Sequence, residues 1–329
     1  MSALERPQSS EAYASLETRI LQFIEGTSNE SFESLLLEAH AFQVAYNPYM
    51  ATFSTSTPTS WKSIPAIPQE AFKEFRISTF SENESIRVFH TSGTTKARPG
   101  KHWFRSLRLY ERAAYEGWRR AGLARDYLII ALLPHPQTAP HSSLAQMAAW
   151  LTPQKNFVLT KMENLQEMAS NSPTLLFGTA LAFLDYFEKF PSFSLPTGSL
   201  AVETGGYKGT QREISKIELY KLFEQHFGLA TPDIMNEYGM TELSSQFYAR
   251  GISSPHHAPP WARALVIDPE TDQECPIGGT GILRLFDLAN LGSTCVLETR
   301  DLAIRRENGF ELLGRDPSAL PRGCSLISL

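Results

Sequence analysis

The chain has 329 residues, of which 42% are hydrophobic and 20% are charged, and its formal net charge is -5 at pH 7. This composition is typical of a globular protein and excludes wholesale disorder. The acidic balance argues against a nucleic-acid-binding protein, whose binding surface would be strongly basic.

The sequence shows no signal for export or membrane insertion. The first residues, MSALERPQSS, lack the apolar stretch of a signal peptide, and the longest apolar run, YLIIALLP at 127–134, is too short to cross a bilayer. The three cysteines have no CxxC spacing, so neither a disulfide framework nor a zinc site is expected. These features predict a cytoplasmic protein with reduced thiols and no transmembrane segment.

Two helical patterns open the chain, and we expect an N-terminal helical segment over residues 1–50. Apolar residues recur at helical spacing, first up to Gly26 and then beyond it, at Tyr13, Leu16, Ile20 and Phe23 and at Phe32, Leu35, Leu36, Ala39 and Phe42. The stretch from 52 to 70 is rich in Ser, Thr and Pro, which predicts a surface loop.

Residues 51–260 alternate short apolar runs with amphipathic stretches. The predicted buried strands are YLIIALL (127–133), TLLFG (174–178), SLAVE (199–203) and DIMNE (233–237). Helical patterns lie between them, at 181–190 and 211–227. Strands separated by helix-sized segments predict an α/β core in which a parallel sheet carries helices on its faces.

The pattern changes after Trp261. Four segments then look like strands, namely ARALVID, GILRLFDL, TCVLETRDLAI and FELLG. Asn308-Gly309 lies between the last two and is a strong hairpin signal. We therefore expect a small antiparallel β subdomain over 261–314, followed by a short tail at 315–329.

The stretch FHTSGTTKARPGK at 89–101 combines small, hydroxylated and basic residues. Small residues let the backbone approach a ligand closely, and successive N–H and hydroxyl groups can surround phosphate oxygens. Phosphate charge can be offset by nearby basic side chains, namely Lys96, Arg98, Lys101 and Arg105. Because the Walker A pattern GxxxxGK[ST] is absent, this stretch taken alone fits a structural Ser/Thr-rich turn as well as a phosphate loop.

Two later stretches, each after a predicted strand, carry groups that suit a nucleotide. In ETGGYKG (203–209), paired glycines would let backbone groups meet a flat ring at the edge of the sheet. In NEYGMTELSSQ (236–246), Tyr238 can stack on a ring, Thr241 can bond a phosphate and Glu242 can hold a divalent ion.

The segment LETRDLAI (297–304) adds Asp301, a carboxylate that can accept hydrogen bonds from both ribose hydroxyls. Taken singly, each of these features also fits an ordinary structural role: a turn, a packed aromatic at a strand exit, or a solvated charge. Their occurrence together and in this order favours a nucleotide site.

Four motifs resemble, in order, the core motifs of the adenylate-forming enzymes, the superfamily of acyl-CoA synthetases, adenylation domains and luciferases: TSGTT (91–95), YGMTE (238–242), TRD (299–301) and GRD (314–316). Within it, the LuxE-type acyl-protein synthetases are the most similar group, because IPAIPQEAFKEF, ETGGYKG and the terminal RGCSL also fit them. The resemblance covers residues 60–329. It implies the fold of the superfamily's N-terminal domain, with ATP and Mg²⁺ as cofactors.

The resemblance also implies a role for each motif residue. The loop over the β- and γ-phosphates of ATP would consist of Thr91, Ser92, Gly93, Thr94 and Thr95. The residues along the adenine would be Gly205, Gly206 and Tyr207, with Tyr238 stacking nearby. Thr241 would contact the α-phosphate, and Glu242 would hold the magnesium ion. Asp301 and Arg315 would both reach the ribose.

The sequence departs from the family pattern at two places. Lys96 stands where family loops continue with glycine, so it either adds a phosphate contact or crowds the loop. Full-length family members also carry a further domain after the GRD motif, which supplies a lysine to adenylation. Here only residues 316–329 follow Gly314-Arg315, and we expect this lid domain to be absent. Lys101 and Lys208 are candidates for the role of that lysine.

In LuxE-type proteins a cysteine near the C-terminus accepts the acyl group as a thioester, and Cys324 matches its position. Arg322 nearby would favour the thiolate. The alternative is an inert thiol. Cys275 and Cys295 lie in strand-like settings and are interpreted as structural.

Two histidines, His135 and His141, flank a Pro-rich turn after the 127–133 strand, where related enzymes place residues beside the acyl pocket. They are candidate substrate-side residues, and surface loop histidines are the alternative. The pair His256-His257 lacks further metal ligands and is interpreted as part of a loop.

The leading hypothesis is therefore an ATP-dependent ligase that converts a carboxylic acid, expected to be a fatty acid, into an acyl-adenylate. It would then transfer the acyl group to its own Cys324 and on to a partner such as an acyl reductase. In the second hypothesis the acceptor is coenzyme A or an acyl carrier protein. In the third, the protein is a non-catalytic subunit that binds a nucleotide or an acyl group.

Overall fold

The computed structural model describes residues 5–54, 56–91, 99–169, 171–205 and 214–315, with residues 5–8 and 315 described by their backbone. The helices in these ranges are α1 (Glu5–Glu25), α2 (Phe32–Tyr46), α3 (Pro48–Phe53), α4 (Ala71–Glu74), α5 (Arg108–Arg120), α6 (Ser143–Leu151), α7 (Leu165–Met168), α8 (Ala180–Lys189) and α9 (Lys216–Phe227). The strands are β1 (Ile67–Pro68), β2 (Arg87–His90), β3 (Lys101–Phe104), β4 (Leu128–Leu132), β5 (Thr174–Thr179), β6 (Leu200–Thr204), β7 (Ile234–Tyr238), β8 (Phe247–Arg250), β9 (Ala262–Asp268), β10 (Gln273–Glu274), β11 (Thr280–Asp287), β12 (Val296–Arg306) and β13 (Gly309–Arg315).

The described residues form two compact units. The first takes in the residues up to Gly117, the short segment Met240–Ser245 and the residues from Ala258 onward. The second takes in Trp118–Gly239 and Gln246–His257. The four domain ranges expected from the sequence stay a prediction. Within the described ranges, no helix has both the length and the apolar character needed to cross a membrane.

The first unit contains the antiparallel sheet predicted after Trp261. Its strand order is β1-β12-β11-β9-β10. β13 also pairs with β12, over residues 301–306, whereas β1 pairs with residues 297–298 of the same strand. β12 and β13 form the predicted hairpin, although the two turn residues are Glu307 and Asn308 and Gly309 already belongs to β13. Alternate residues of β11 such as Leu283 and Leu285 are fully buried, which is why this pattern folds as a sheet with one covered face.

One correction concerns the stretch predicted as a surface loop. Within it, β1 pairs in parallel with β12 through Ile67↔Leu297 and Pro68↔Glu298. Ile67 is fully buried, and its register with β12 gives this Pro-rich segment a place at the sheet edge. Proline is tolerated there because an edge strand needs donors on one side only.

The N-terminal helices are confirmed. α1 ends at Glu25, before Gly26 with its φ of 75°, and buries Tyr13, Leu16 and Ile20. α2 buries all five of the apolar residues expected on its covered face, Phe32, Leu35, Leu36, Ala39 and Phe42. Its first turn is capped by Ser31, whose hydroxyl accepts a hydrogen bond from the Ser34 N–H.

The second unit contains the predicted parallel sheet, in the order β4-β5-β6-β7-β8. The first four strands are parallel, as expected, and β8 adds an antiparallel edge that the sequence did not reveal. α8 and α9 pack against this sheet through a group of aromatic rings; the centroids of Phe183 and Phe223 are 4.6 Å apart. α9 begins at Lys216 after a capping box formed by Ser215 and Glu218. The first residues of the predicted 211–227 helix, 211–213, lie outside the described ranges.

Candidate functional site

In the first unit, the TSGTT motif begins directly after β2, at the end of the β2–β3 hairpin where His90 pairs with Lys101. The Thr91 N–H donates to the Gly100 carbonyl oxygen at 2.9 Å, and the Gly100 N–H donates to Thr91 Oγ1 at 2.9 Å. A Cβ on Gly100 would lie 3.0 Å from Thr91 Cγ2 and 3.1 Å from the Phe72 carbonyl oxygen. The hairpin therefore holds the first motif residue by two bonds at a place where the close backbone approach favours glycine.

Thr241 of the YGMTE motif lies against the same hairpin. Its hydroxyl donates to the His90 carbonyl oxygen at 3.4 Å. Its own carbonyl oxygen accepts a 2.7 Å hydrogen bond from His102 Nδ1. Since His90 directly precedes Thr91, the structure brings together two motifs that are far apart in the sequence.

His102 was missed by the sequence analysis. Its ring centroid lies 5.4 Å from that of Phe72 and 4.2 Å from that of Phe104. Burial among these groups lowers the pKa of His102 to about 4, although the bond to Thr241 acts in the other direction. A carbonyl oxygen only accepts, so the neutral ring carries its proton on Nδ1. The alternation of buried residues along KHWF, with His102 and Phe104 on the covered side, is the signal that could have identified it.

The backbone around Glu242 is held by a second residue that the sequence analysis missed. Asn290 Nδ2 donates to the Glu242 carbonyl oxygen at 2.8 Å and to the Thr294 carbonyl oxygen at 2.8 Å. Asn290 Oδ1 accepts from the Ser244 hydroxyl at 3.0 Å. All of these groups are buried. The position of the predicted magnesium ligand therefore depends on the segment that follows β11.

Asp287, the last residue of β11, holds the residues just after Glu242 in place. Its carboxylate accepts hydrogen bonds from the Ser244 N–H at 2.9 Å, the Ser245 hydroxyl at 2.6 Å and the Ala289 N–H at 3.0 Å. Burial raises the pKa of Asp287, while these donors favour the ionised form. The Trp261 indole N–H completes the group with a 2.9 Å bond to Ser245 Oγ. Asp287 and Asn290 could not be assigned from local patterns, because their partners come from distant segments.

The two predicted ribose-binding residues are neighbours in the first unit. In the β12–β13 hairpin, Asp301 is the direct register partner of Arg315. The Asp301 N–H donates to Thr299 Oγ1 at 3.1 Å, and the Thr299 hydroxyl donates to the Leu283 carbonyl oxygen at 2.8 Å. The hairpin thus brings the TRD motif beside the start of the GRD motif.

In the second unit, Gly205 directly follows β6, and Tyr238 is the last residue of the adjacent parallel strand β7. The register pairs Thr204 of β6 with Glu237 of β7, and Gly205 and Tyr238 are the next residues along each strand. Tyr238 is largely buried, with its ring centroid 6.1 Å from that of Phe247 and 6.0 Å from that of His256. Both predicted adenine-side residues described by the structure therefore lie at the carboxyl edge of the parallel sheet, where α/β proteins commonly bind ligands.

Two buried carboxyl groups lie close before these residues in the chain, Glu203 two positions before Gly205 and Glu237 directly before Tyr238. Burial raises the pKa of Glu203 to about 7 against the opposing effects of Lys216 and of the hydrogen bonds from Asn236 and Tyr220. Burial likewise raises the pKa of Glu237 to about 7. The sequence analysis missed both, yet a signal existed: SLAVE and DIMNE are predicted buried strands that each contain a glutamate.

The remaining histidines lie in the second unit. His135 forms the turn after β4; its Nδ1 accepts from the Gln137 N–H at 3.3 Å, and its ring packs against Phe157 at 5.1 Å. His141 lies in an exposed turn. The loop interpretation of His256-His257 needs correction, because His257 pairs with Tyr248 in an isolated β-bridge and His256 is buried.

Several predicted site residues lie outside the described ranges, namely Ser92, Gly93, Thr94, Thr95, Lys96, Gly206, Tyr207, Lys208 and Cys324. Arg315 is described by its backbone only. Cys275 and Cys295, interpreted from the sequence as structural, are both buried, and burial raises the pKa of each thiol.

A sequence profile of the acyl-protein synthetase family LuxE matches residues 134–328, which is more than half of the chain. The chain belongs to this family. It is also 28% identical over 131 residues to the long-chain-fatty-acid–luciferin-component ligase of Vibrio harveyi. That alignment takes in 37% of this chain and 34% of the relative, so the chain matches about a third of the length of the Vibrio protein.

Solved structures confirm the fold as that of the adenylate-forming enzymes. One is a 2-hydroxyisobutyryl-CoA ligase in the postadenylation state, in complex with 2-hydroxyisobutyryl-AMP. It is 15% identical to this chain, with a TM-score of 0.61, and the alignment covers 86% of this chain and 67% of the ligase. ATP-bound MatB from Rhodopseudomonas palustris is 18% identical to this chain, with a TM-score of 0.51. The alignment covers 72% of this chain and 49% of MatB.

Proposed function

We propose that the protein uses ATP to activate a carboxylic acid as an acyl-adenylate and then transfers the acyl group to the thiol of Cys324. The observation that carries this proposal most is the junction of Thr91, His90 and Thr241 at the end of the β2–β3 hairpin. The first residue of the TSGTT motif and the Thr241 hydroxyl lie beside the same residue, His90, and hydroxyl and backbone N–H groups gathered in this way suit phosphate oxygens. Membership of the acyl-protein synthetase family supports the same chemistry.

The roles proposed for the individual residues are those that the resemblance to the adenylate-forming enzymes implies. Thr91 to Thr95 would form the loop over the β- and γ-phosphates, and Thr241 would contact the α-phosphate. Gly205, Gly206 and Tyr207 would lie along the adenine, and Tyr238 would stack on it. Asp301 would accept from the ribose hydroxyls, with Arg315 beside it. His135 and His141 would lie on the acid's side of the site.

Glu242 is the residue proposed to hold Mg²⁺. The described residues include no cluster of three His, Cys, Asp or Glu side chains placed around one ion. A single carboxylate still fits Mg²⁺, because this ion commonly binds one or two protein carboxylates together with substrate phosphates and several waters. When bound, Mg²⁺ would offset the negative charge that opposes attack on the phosphate.

The reaction proposed for this site has two steps. The carboxylate oxygen of the acid attacks the α-phosphorus, the bond from that phosphorus to the bridging oxygen breaks, and pyrophosphate leaves. Hydrogen-bond donors already in place around the phosphates lower the barrier because charge shifts onto the leaving oxygens. The Cys324 thiolate then attacks the acyl carbon, the carbon–oxygen bond to the phosphate breaks, and AMP leaves with formation of a thioester.

The proposed acid is a fatty acid, and the proposed final acceptor is a partner protein such as an acyl reductase. The name of the Vibrio relative supports the first part of this proposal. The second part depends on Cys324, since a thioester on the protein is an intermediate that needs an acceptor.

The test is an acid-dependent ATP–pyrophosphate exchange assay combined with intact-protein mass measurement. We expect exchange with one class of acid, and a mass increase of one acyl group. Cys324→Ser should retain exchange and lose the mass increase, and Cys275→Ser serves as the matched control. Acyl transfer to coenzyme A or a carrier protein by Cys324→Ser would favour the second hypothesis. Absence of exchange with every acid would favour a non-catalytic binding subunit.

A further inference from the structure

A chain of hydrogen bonds crosses the carboxyl edge of the parallel sheet in the second unit. Glu203 Oε1 accepts from Asn236 Nδ2 at 2.6 Å and from the Tyr220 hydroxyl at 3.2 Å. Asn236 Oδ1 is 2.6 Å from His256 Nε2. Glu203 and His256 are both buried. Three segments, β6, β7 and the residues after β8, are thereby joined through side chains.

The direction of these bonds depends on the proton of Glu203. An ionised carboxylate only accepts, so it holds the Asn236 amide with its NH₂ group toward Glu203 and its oxygen toward His256. His256 must then carry its proton on Nε2. A protonated Glu203 can itself donate, which allows the amide to turn over; His256 Nε2 would then accept, and the ring proton would lie on Nδ1.

The groups that face Glu203 act in opposite directions. From α9, Lys216 favours the ionised form and Tyr220 donates to it. From β7, Asn236 donates to Glu203, and the Glu237 carboxyl interacts with Glu203 as a like charge. From β5, the register partner is Gly178, which has no charge. With burial, the balance gives Glu203 a pKa of about 7, so both forms are populated near neutral pH.

The hydrogen-bonded chain of side chains ends at His256, which lies beside Tyr238. The His256 ring centroid lies 6.0 Å from that of Tyr238, with the rings at 68°, an edge-to-face arrangement whose energy depends on ring orientation. We infer that Glu203 and His256 are positioning residues for Tyr238, and that Asn236 couples them so that the proton on Glu203 selects the His256 tautomer and the setting of the Tyr238 ring. This inference rests on the proposed function, in which Tyr238 stacks on the nucleotide.

The experiment follows the ¹⁵N resonances of the histidine side chains from about pH 5 to 9, a range that spans ordinary histidine titration. His256→Gln identifies the His256 signals by their loss. In the unsubstituted protein we expect the Nε2–H tautomer at the alkaline end and a transition to Nδ1–H near neutral pH. In Glu203→Gln the transition should disappear. Glu224→Gln, on the exposed side of α9, is the matched control and should leave it unchanged.

Tyr220→Phe provides a variant that keeps the carboxyl group. It removes one donor to Glu203, so the midpoint of the transition should move to higher pH, which a merely structural role would not produce. The KM for ATP in the exchange assay should change about threefold to tenfold across the same transition, as expected for an aromatic contact, with little change in kcat. In Glu203→Gln the KM should no longer depend on pH in this range.

A His256 tautomer that stays constant over this range in the unsubstituted protein would overturn the inference. A transition that persists in Glu203→Gln would also overturn it, and so would a KM for ATP that stays constant across the transition. These outcomes are distinct from failure of the proposed function, which would appear as absence of ATP-dependent exchange at every pH. The tautomer measurement needs no nucleotide and would remain decisive in that case.

Discussion

The two units hold their predicted site residues with buried groups of opposite titration behaviour. In the first unit, Thr241 is held by His102, a base whose pKa burial lowers to about 4. In the second, Glu203 lies two residues before Gly205 and Glu237 lies directly before Tyr238, and burial raises the pKa of each of these acids to about 7. In both cases burial disfavours the charged form. The stability of the first unit should therefore fall toward acid pH, and the stability of the second unit should fall toward alkaline pH.

The largest expected effect comes from Asp287→Ala in the first unit. It would leave the Ser244 N–H, the Ser245 hydroxyl and the Ala289 N–H buried without their common acceptor. We expect the free energy of unfolding to fall by about 3 to 5 kcal/mol in urea denaturation. Asp126→Ala, at an exposed position, should change it by less than about 0.5 kcal/mol. Equal effects of the two substitutions would contradict the importance of this group.

The second prediction concerns the alkaline side of the comparison. The pKa of Glu237 rises from 4.5 in its ordinary setting to about 7 in the folded protein. The folded state therefore binds more protons than the unfolded state between these values, and stability is lost as pH rises through this window. At 1.36 kcal/mol per pKa unit, Glu237 should reduce the free energy of unfolding by about 3 kcal/mol above pH 7.

Glu237→Gln tests the direction of this pH dependence of stability. The stability difference between the variant and the unsubstituted protein should grow in the variant's favour from about pH 4.5 to 7 and then level off. Hydrogen exchange of peptides covering β6 would report the effect in the second unit. A constant difference over this range would show that Glu237 does not titrate there.

The third prediction concerns the acid side of the comparison, where His102 lowers the stability of the first unit. The pKa of His102 falls from 6.5 to about 4, so the folded state binds fewer protons than the unfolded state between these values. The stability that the neutral ring provides is complete above about pH 6.5 and is lost as pH falls toward 4, by about 3 kcal/mol in total. His102→Gln keeps an N–H donor for Thr241 and does not titrate. It should remove the acid-dependent loss in peptides covering β3, and His141→Gln should not.

The smallest effect concerns the bond that closes the hairpin. Thr91→Val keeps the shape of the side chain but removes the acceptor of the Gly100 N–H, which should cost about 1 to 2 kcal/mol of stability. Thr91→Ser retains the acceptor and is the control. In the exchange assay we expect a higher KM for ATP with the valine variant and little change with serine. A valine variant that behaves like serine would remove this bond from the description of the site.

The sequence predicted those parts of the fold that depend on local periodicity. The run from 127 to 133 contains β4, the run at 174–178 lies in β5, and the runs at 199–203 and 233–237 overlap β6 and β7 in all but their first residue. These strands could be predicted because a parallel strand covered on both faces is mostly apolar. By contrast, β8 and β1 were missed. Each is short and obtains its partner from the tertiary structure, and β1 lies in a stretch whose Ser, Thr and Pro residues favour a loop.

The candidate site divides in the same way. Sequence motifs by themselves led to the prediction of Thr91, Thr241, Glu242 and Asp301 as nucleotide-site residues, because hydroxyls, carboxylates and small residues in this order suit nucleotide binding; these assignments stay predictions. The roles of His102, Asn290, Asp287 and Glu203 emerged only in the folded chain. Their importance lies in burial and in partners from distant segments, and neither a hydrogen bond across the fold nor a pKa shifted by desolvation leaves a pattern in the local sequence.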